Sequence, residues 1–325
     1  MITDTLRIGV IGAGGFGMFA LQQFLQEPGT RLVAIAGTHR EAALAMARRF
    51  GVDDVVETEL LLANPEIDLV YIATPPFLHF PQARAALLAG KHVICEKPLA
   101  MSVAQADELL ALARERDLLC IANLMQRYNP LFDRARSLVE SGLLGDCLHG
   151  GFENYASDEG LREDHWFWDR EKSGGIFIEH GVHFFDLFEG WLGAGEVVAA
   201  QRVLRPGSGI EEQVHCTVRY ASGPLVNFYH GFTQPSRLDV LKTYGGRDRA
   251  ARGRFKEIDV FQQIELQHGS GDDKQRRYCE MLRALFADQL AWLRDRRHVR
   301  KITEQNGRDS LAMAEAANRF AEGSH

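Results

Sequence analysis

The sequence predicts an α/β protein in two parts: an N-terminal doubly wound parallel sheet of the Rossmann type, then a C-terminal α+β domain with a mainly antiparallel sheet. Three observations carry this. Residues 1–124 alternate short apolar runs with amphipathic stretches of helical length, and strands apolar on both faces, separated by helices, belong to a parallel sheet covered on both sides. A glycine-rich turn, Gly12-Ala13-Gly14-Gly15-Phe16-Gly17, directly follows the first run. Beyond about Leu124 the apolar pieces are strand-like and joined by short turns such as Ala221-Ser222-Gly223-Pro224, which implies antiparallel neighbours.

Taken in order, the first part reads as strand LRIGVIG, helix Phe16 to Gln26, strand RLVAIAG, helix Arg40 to Phe50, strand DLVYIAT and helix His79 to Ala89. Strand KHVICEK, helix Val103 to Arg116 and strand LLCIANL complete it. The second part opens with a helix from about Leu131 to Ser141. Its strands are CLHGGFENYA, VVAAQRVL, EQVHCTVRY and PLVNFYHGF, and a buried helix from about Glu179 to Leu192 lies between the first two. Thr243 to Arg254, polar, basic and glycine-containing, reads as an exposed loop; helices from about Asp273 to Arg296 and Arg308 to Ala321 close the chain. The expected division is a dinucleotide-binding domain over 1–124 and a substrate-binding and oligomerisation domain over 125–302. The closing helix, about 303–322, is expected to pack back on the first domain.

A chain of 325 residues with 46% apolar and 25% charged residues suits two soluble globular domains. A net charge of −7 argues against nucleic acid or an anionic membrane as partner. The five cysteines, Cys95, Cys120, Cys147, Cys216 and Cys279, are odd in number and lack C-x-x-C spacing, so neither a disulfide framework nor a zinc site is indicated. No secretory signal and no membrane-spanning run is visible, and a cytoplasmic location is expected.

In the glycine turn, Gly12 permits a tight turn, Gly14 lets the backbone approach a pyrophosphate, and Gly17 allows a helix to pack closely on a strand. The helix that begins through Gly15 and Phe16 then offers free N–H groups and a positive dipole end to the phosphates. A nicotinamide dinucleotide is the expected cofactor. Where an NAD-preferring site offers a carboxylate to the ribose 2′-hydroxyl, this chain has Thr38-His39-Arg40, and no acid appears before Glu41. Thr38 and Arg40 suit a 2′-phosphate, so NADP is favoured and NAD stays open.

Glu96-Lys97-Pro98 stands at the carboxyl end of a buried strand, where open α/β sheets hold their ligands. Pro98 biases Lys97 away from helical geometry and directs it to the crevice, where it could share a proton with a substrate hydroxyl or carbonyl. The bland alternative is a surface lysine paired with Glu96. In GGIFIEHGVHFFDL (174–187), a helical rotation of about 100° per residue brings Glu179, His183 and Asp186 within about 60° of one another and leaves His180 aside. On a helix apolar nearly all round, such a stripe is a metal site, acid–base machinery or a satisfied internal network. Ligand spacing argues against metal, and histidine beside a carboxylate suits acid–base chemistry.

Together GAGGFG, ATPPFLH (73–79), AGKHVICEKPLA (89–100) and GG…E…GVHFFDL resemble the glucose–fructose oxidoreductase and inositol dehydrogenase (Gfo/Idh/MocA) family over most of the chain. The resemblance implies an NAD(P)-dependent oxidoreductase acting on a sugar, polyol or sugar derivative, assembled as a homodimer or homotetramer. It implies catalytic roles for Lys97 and His183: His183 is expected as the principal proton donor or acceptor, Lys97 to hydrogen-bond and polarise the reacting oxygen, and Glu179 to orient His183 or bind a substrate hydroxyl. Cofactor contacts are expected from Thr74, Pro75, His79, Glu96 and Lys97. Glu179 stands where the family's sugar and polyol dehydrogenases commonly carry aspartate, and the unusual His180 follows it. Arg127, Tyr128, Trp166, Trp168, His180 and Asp186 are the candidate substrate contacts. The alternatives are reduction of a non-sugar carbonyl, enone or imine, and a non-catalytic NADP-binding regulator.

Overall fold

The computed structural model describes residues 5–37, 40–52, 55–141, 147–157, 161–234 and 271–323; the basic loop read at 243–254 lies outside them. The first sheet contains β1 (Leu6–Ile11), β2 (Thr30–Ala36), β3 (Val55–Val56), β4 (Leu69–Ile72), β5 (His92–Cys95) and β6 (Cys120–Ala122) in the order β3-β2-β1-β4-β5-β6. All its pairings are parallel. Between the strands run α1 (Gly15–Phe24), α2 (Arg40–Phe50), α3 (Thr58–Ala63), α4 (His79–Leu88) and α5 (Val103–Glu115). Leu69 to Ile72 and Val93 to Cys95 are buried, as expected for strands covered on both faces. The strand order reverses between β1 and β4, and the crevice beyond their carboxyl ends is where such a sheet takes its ligand. β3 and α3 escape the sequence pattern because a two-residue strand and a six-residue helix are too short for a period to register.

The second part contains α6 (Pro130–Glu140), β7 (His149–Ser157), α7 (Arg170–Ser173), α8 (Val182–Leu192), β8 (Gly195–Leu204), β9 (Glu211–Tyr220) and β10 (Leu225–Gln234). Its sheet runs β7-β10-β9-β8. The β8–β9 and β9–β10 contacts are antiparallel hairpins, and Gly223 at φ +112° turns the second of them. β7 joins β10 in parallel, because the chain between β7 and β8 crosses over through α7 and α8 instead of turning back. The apolar side of α8 seats on this sheet: Phe185 and Phe188 each lie 5.1 Å from Phe228, and Phe184 lies 4.0 Å from Phe152.

Two helices close the chain, α9 (Gly271–Arg294) and α10 (Glu304–Gly323). On α9, Phe286 stacks on Phe24 of α1 at 4.6 Å, and Phe24 meets Tyr71 edge-on at 5.0 Å, so α9 packs on the first part. Contacts of α10 reach both parts. Its Glu315 accepts from the Val103 backbone N–H at 2.6 Å, and its Asn318 donates to the Gly174 carbonyl at 3.1 Å. Among the described residues no helix is long and apolar enough to cross a membrane.

Candidate active site

Each glycine of the first turn meets a different constraint. Gly12 has φ +106°, and a Cβ there would lie 2.5 Å from the Ala73 carbonyl oxygen; one on Gly17 would lie 2.5 Å from Ala73 Cβ. These two are fixed by packing against the chain leaving β4. A Cβ on Gly14 or Gly15 would meet nothing within 4 Å, so the loop is open where a pyrophosphate would approach. No acidic side chain stands in the first turn of α1, whose free N–H groups and dipole favour an anion. The residues present therefore fit a dinucleotide. Phe16 is exposed at the rim, and Arg40 begins α2 exposed; Thr38 and His39 lie outside the described residues.

Beyond β4, Thr74 donates from its hydroxyl to Gln82 Oε1 at 2.6 Å, and Pro75 leads into a single 3₁₀ turn, Pro76–Leu78. The ring nitrogens of buried His79 lie 2.6 Å from the Pro98 carbonyl oxygen and 2.7 Å from that of Thr74. His79 is thus a tie between the loop after β4 and the lysine turn after β5. Glu96 is also structural. One of its oxygens accepts from the Tyr71 hydroxyl at 2.5 Å and from Asn123 Nδ2 at 2.7 Å, and burial pushes its carboxyl up against those donors. The Lys97–Pro98 peptide is cis. Lys97 does not pair with Glu96: its Nζ donates to Glu179 Oε1 at 2.5 Å and to the Glu179 carbonyl oxygen at 2.6 Å.

Glu179 reaches the lysine from an unusual backbone. Gly174 and Gly175, both at φ +81°, start a new course, and Phe177–Gly181 then form one π-helical turn before α8 begins at Val182. The carboxylate of Glu211 on β9 accepts from the Ile176 N–H at 2.8 Å, pinning the entry to this turn. The regular helix expected from Glu179 is therefore corrected. A π-turn is wider than an α-turn, so a rotation of 100° per residue does not carry from Glu179 to Asp186, and the stripe divides. Glu179 Oε1 goes to Lys97, and its Oε2 takes His180 Nδ1, the residue set aside by the angular argument. Asp186 is fully buried and accepts from Arg127 Nε at 2.9 Å.

Electrostatics separates the groups. Burial opposes charge on Glu179, but Lys97 and His180 outweigh it and hold the carboxyl well below its ordinary range. His183 is pushed well below the ordinary imidazole value by burial and then by the charges of Lys97 and His180, with only Glu179 opposing. Its Nδ1 is buried and has no hydrogen-bond partner among the described residues. Burial raises Asp186 to about 7 despite Arg127. Glu189, also at about 7, is raised by burial and by neighbouring Asp309 and Asp186.

The structure brings Lys97, Glu179 and His180 into one hydrogen-bonded group. It commits Arg127 to Asp186, with the guanidinium lying over Gly190, where a Cβ would be 2.5 Å from Nη1. The Tyr128 hydroxyl donates to Asp288 on α9 at 2.5 Å, so that group is also taken. Trp166 and Trp168 bound a 3₁₀ turn. Trp168 lines a cavity of about 250 Å³ together with Phe167, Arg170, Arg202, Glu211 and Glu179. Sequence reasoning missed Glu211, Arg170 and Arg202: Arg170 Nε and Arg202 Nη1 lie 3.5 and 3.6 Å from Glu211 Oε1, a meeting of distant residues with no spacing to announce it.

The family model described as an oxidoreductase family with an NAD-binding Rossmann fold matches residues 6–124, and the GFO/IDH/MocA C-terminal domain model matches residues 132–248. A 1,5-anhydro-D-fructose reductase of Ensifer adhaerens is 31% identical over 233 residues, covering 70% of this chain and 69% of that one. A dTDP-3,4-didehydro-2,6-dideoxy-alpha-D-glucose 3-reductase of Streptomyces violaceoruber is 38% identical over 201 residues, 59% of this chain and 57% of that one. Three curated relatives are matched over 54%, 62% and 57% of their own length. Among solved structures, GenD2 from gentamicin A biosynthesis in complex with NAD superposes with a TM-score of 0.79 at 21% identity, covering 100% of this chain and 96% of that one. At that identity the likeness is one of fold.

Proposed function

Because the chain belongs to the glucose–fructose oxidoreductase and inositol dehydrogenase (Gfo/Idh/MocA) family of oxidoreductases, we propose that it moves a hydride between a nicotinamide dinucleotide and a carbinol or carbonyl carbon of a sugar, polyol or sugar derivative. The observation that carries this reading is the 2.5 Å contact from Lys97, at the carboxyl end of β5, to Glu179 on the π-turn of the second part. It sets a proton-carrying amine at the sheet edge beside the crevice that the glycine turn opens to a cofactor. The names of the two sugar reductases support a sugar-type substrate. The cofactor, when bound, supplies or accepts the hydride.

In reduction Lys97 gives a proton from Nζ to the substrate oxygen, and in oxidation it takes it back. Two of its three N–H positions are spent on Glu179, which aims the third. The sequence expectation made His183 the principal proton donor or acceptor and let Glu179 orient it or bind a substrate hydroxyl. Glu179 instead bonds to Lys97, and a His183 ring held well below the ordinary imidazole value, first by burial, stays neutral and is a poor acid. With Nδ1 buried and unpartnered, the tautomer bearing its proton on Nε2 leaves only a lone pair unmet, and that N–H donates to the reacting oxygen. NADP is the proposed dinucleotide, with Arg40 pairing with the 2′-phosphate, and a homodimer or homotetramer is the proposed assembly.

The test is loss of reduced-nicotinamide absorbance on a panel of keto-sugars, beginning with 1,5-anhydro-D-fructose. Lys97→Met should lower turnover by about 10²-fold or more while NADPH still binds. Undiminished turnover in Lys97→Met would overturn the reading.

A further inference from the structure

Every reduction of a carbonyl consumes one proton from water, so the donor needs a route by which it is refilled once substrate covers it. His183 offers none through Nδ1, which is buried and without a partner among the described residues. Lys97 does have one. Its Nζ meets Glu179 Oε1 at 2.5 Å, the other oxygen of the same carboxylate meets His180 Nδ1, and the outer end is the most open: the side chains are 17%, 10% and 28% exposed for Lys97, Glu179 and His180. The His180 ring is fixed edge-on between Phe167 at 6.1 Å and Phe232 at 5.0 Å, which holds Nδ1 on the carboxylate.

We propose that His180 is the proton relay of this site, passing protons between solvent and Lys97 through Glu179. The proposal rests on the reading of Lys97 as proton donor and adds a residue that the reading does not need. In reduction, a proton leaves Lys97 Nζ for the substrate oxygen as hydride reaches the adjacent carbon. The Glu179 carboxylate takes a proton at Oε2 from His180 Nδ1 as the ring accepts one from water at Nε2; the carboxylic acid so formed turns and gives that proton to the neutral amine, which is an ammonium beside a carboxylate again. The imidazole returns from its Nε2–H to its Nδ1–H tautomer by exchange with water, and one water-derived proton has been consumed. Only an imidazole does this at the third position, since it can release a proton at one nitrogen while accepting at the other near neutral pH. The titratable groups facing His180 are Glu179 on its own turn, Lys97 from the turn after β5, His183 from α8 and His230 from β10. Of these only Glu179 bonds to the ring. The longer glutamate also fits the arrangement, because one carboxylate must span the lysine and the imidazole.

The deciding measurement needs no substrate. In protein labelled with ¹⁵N-lysine, the exchange of Lys97 Nζ protons with water is followed against pH, the signal being assigned by its loss in Lys97→Met. His180→Gln keeps a hydrogen-bonding group without a titratable ring, and His180→Phe keeps the aromatic packing against Phe167 and Phe232. Both should slow Lys97 exchange by about tenfold or more and abolish its dependence on pH across the imidazole range, with added imidazole restoring exchange in His180→Ala. Wild-type exchange in both His180→Gln and His180→Phe would overturn the relay, as would slowed exchange that keeps its pH dependence. Either result leaves the Lys97→Met turnover test untouched, so failure of the relay and failure of the proposed function are told apart.

Discussion

Substituting alanine at Gly12, Gly14 and Gly17 separately should divide folding from cofactor binding within six residues. At Gly14 the backbone has φ −70° and ψ 161°, which any residue adopts, and a Cβ meets nothing within 4 Å. Gly14→Ala should therefore leave stability unchanged or raise it by about 0.4–1 kcal/mol through the unfolded chain. The same Cβ occupies the space a pyrophosphate must enter. Losing one charge-assisted backbone contact there is worth roughly 1.5–3 kcal/mol, or about 10- to 100-fold in Kd. Gly12→Ala combines positive φ with a Cβ 2.5 Å from a carbonyl oxygen, and should destabilise by about 2–4 kcal/mol. Gly17→Ala, 2.5 Å from Ala73 Cβ, should destabilise by about 1–3 kcal/mol. Thermal unfolding gives the stabilities and quenching of NADPH fluorescence the affinities. A Gly14→Ala protein that binds NADPH as tightly as wild type would refute the cradle.

Further tests follow from the buried charges and the ribose site. Asp186 is raised from 3.8 to about 7, so the folded chain holds that proton more tightly than the unfolded one. Its contribution is full below about pH 4 and lost by pH 7, roughly 4 kcal/mol in all and about 2–3 kcal/mol between pH 5 and 8. Asp186→Asn should remove that slope, seen by urea unfolding at the two pH values; an unchanged slope would contradict the assignment. Glu179→Gln takes the charge from beside Lys97 and should cost about 3–5 kcal/mol in stability as one partner of a buried pair, measured by the same unfolding. Arg40→Ala should weaken NADPH binding by about tenfold and leave NADH unaffected, as read in paired fluorescence titrations. Phe24→Ala should destabilise by about 3–5 kcal/mol, because Phe24 joins Tyr71 of β4 to Phe286 of α9.

By itself the sequence determined the alternating architecture of the first 124 residues, the glycine turn after β1, Lys97 at the end of β5 and the four strands of the second sheet. Each is written in local order: a hydrophobic period, a turn residue, a spacing within one loop. Tertiary structure decided what those side chains meet. His79 binds the Thr74 and Pro98 carbonyls, Glu96 turns to Tyr71 and Asn123, and Arg127 is held by Asp186. Such pairings arise where separate elements cross, and no period encodes them. The π-turn at Phe177–Gly181 is the sharpest case. Helical arithmetic groups Glu179 with His183 and excludes His180, whereas the widened turn sends Glu179 to Lys97 and His180. Its entry is held from outside the segment, by the Glu211 carboxylate of β9 that accepts from the Ile176 N–H.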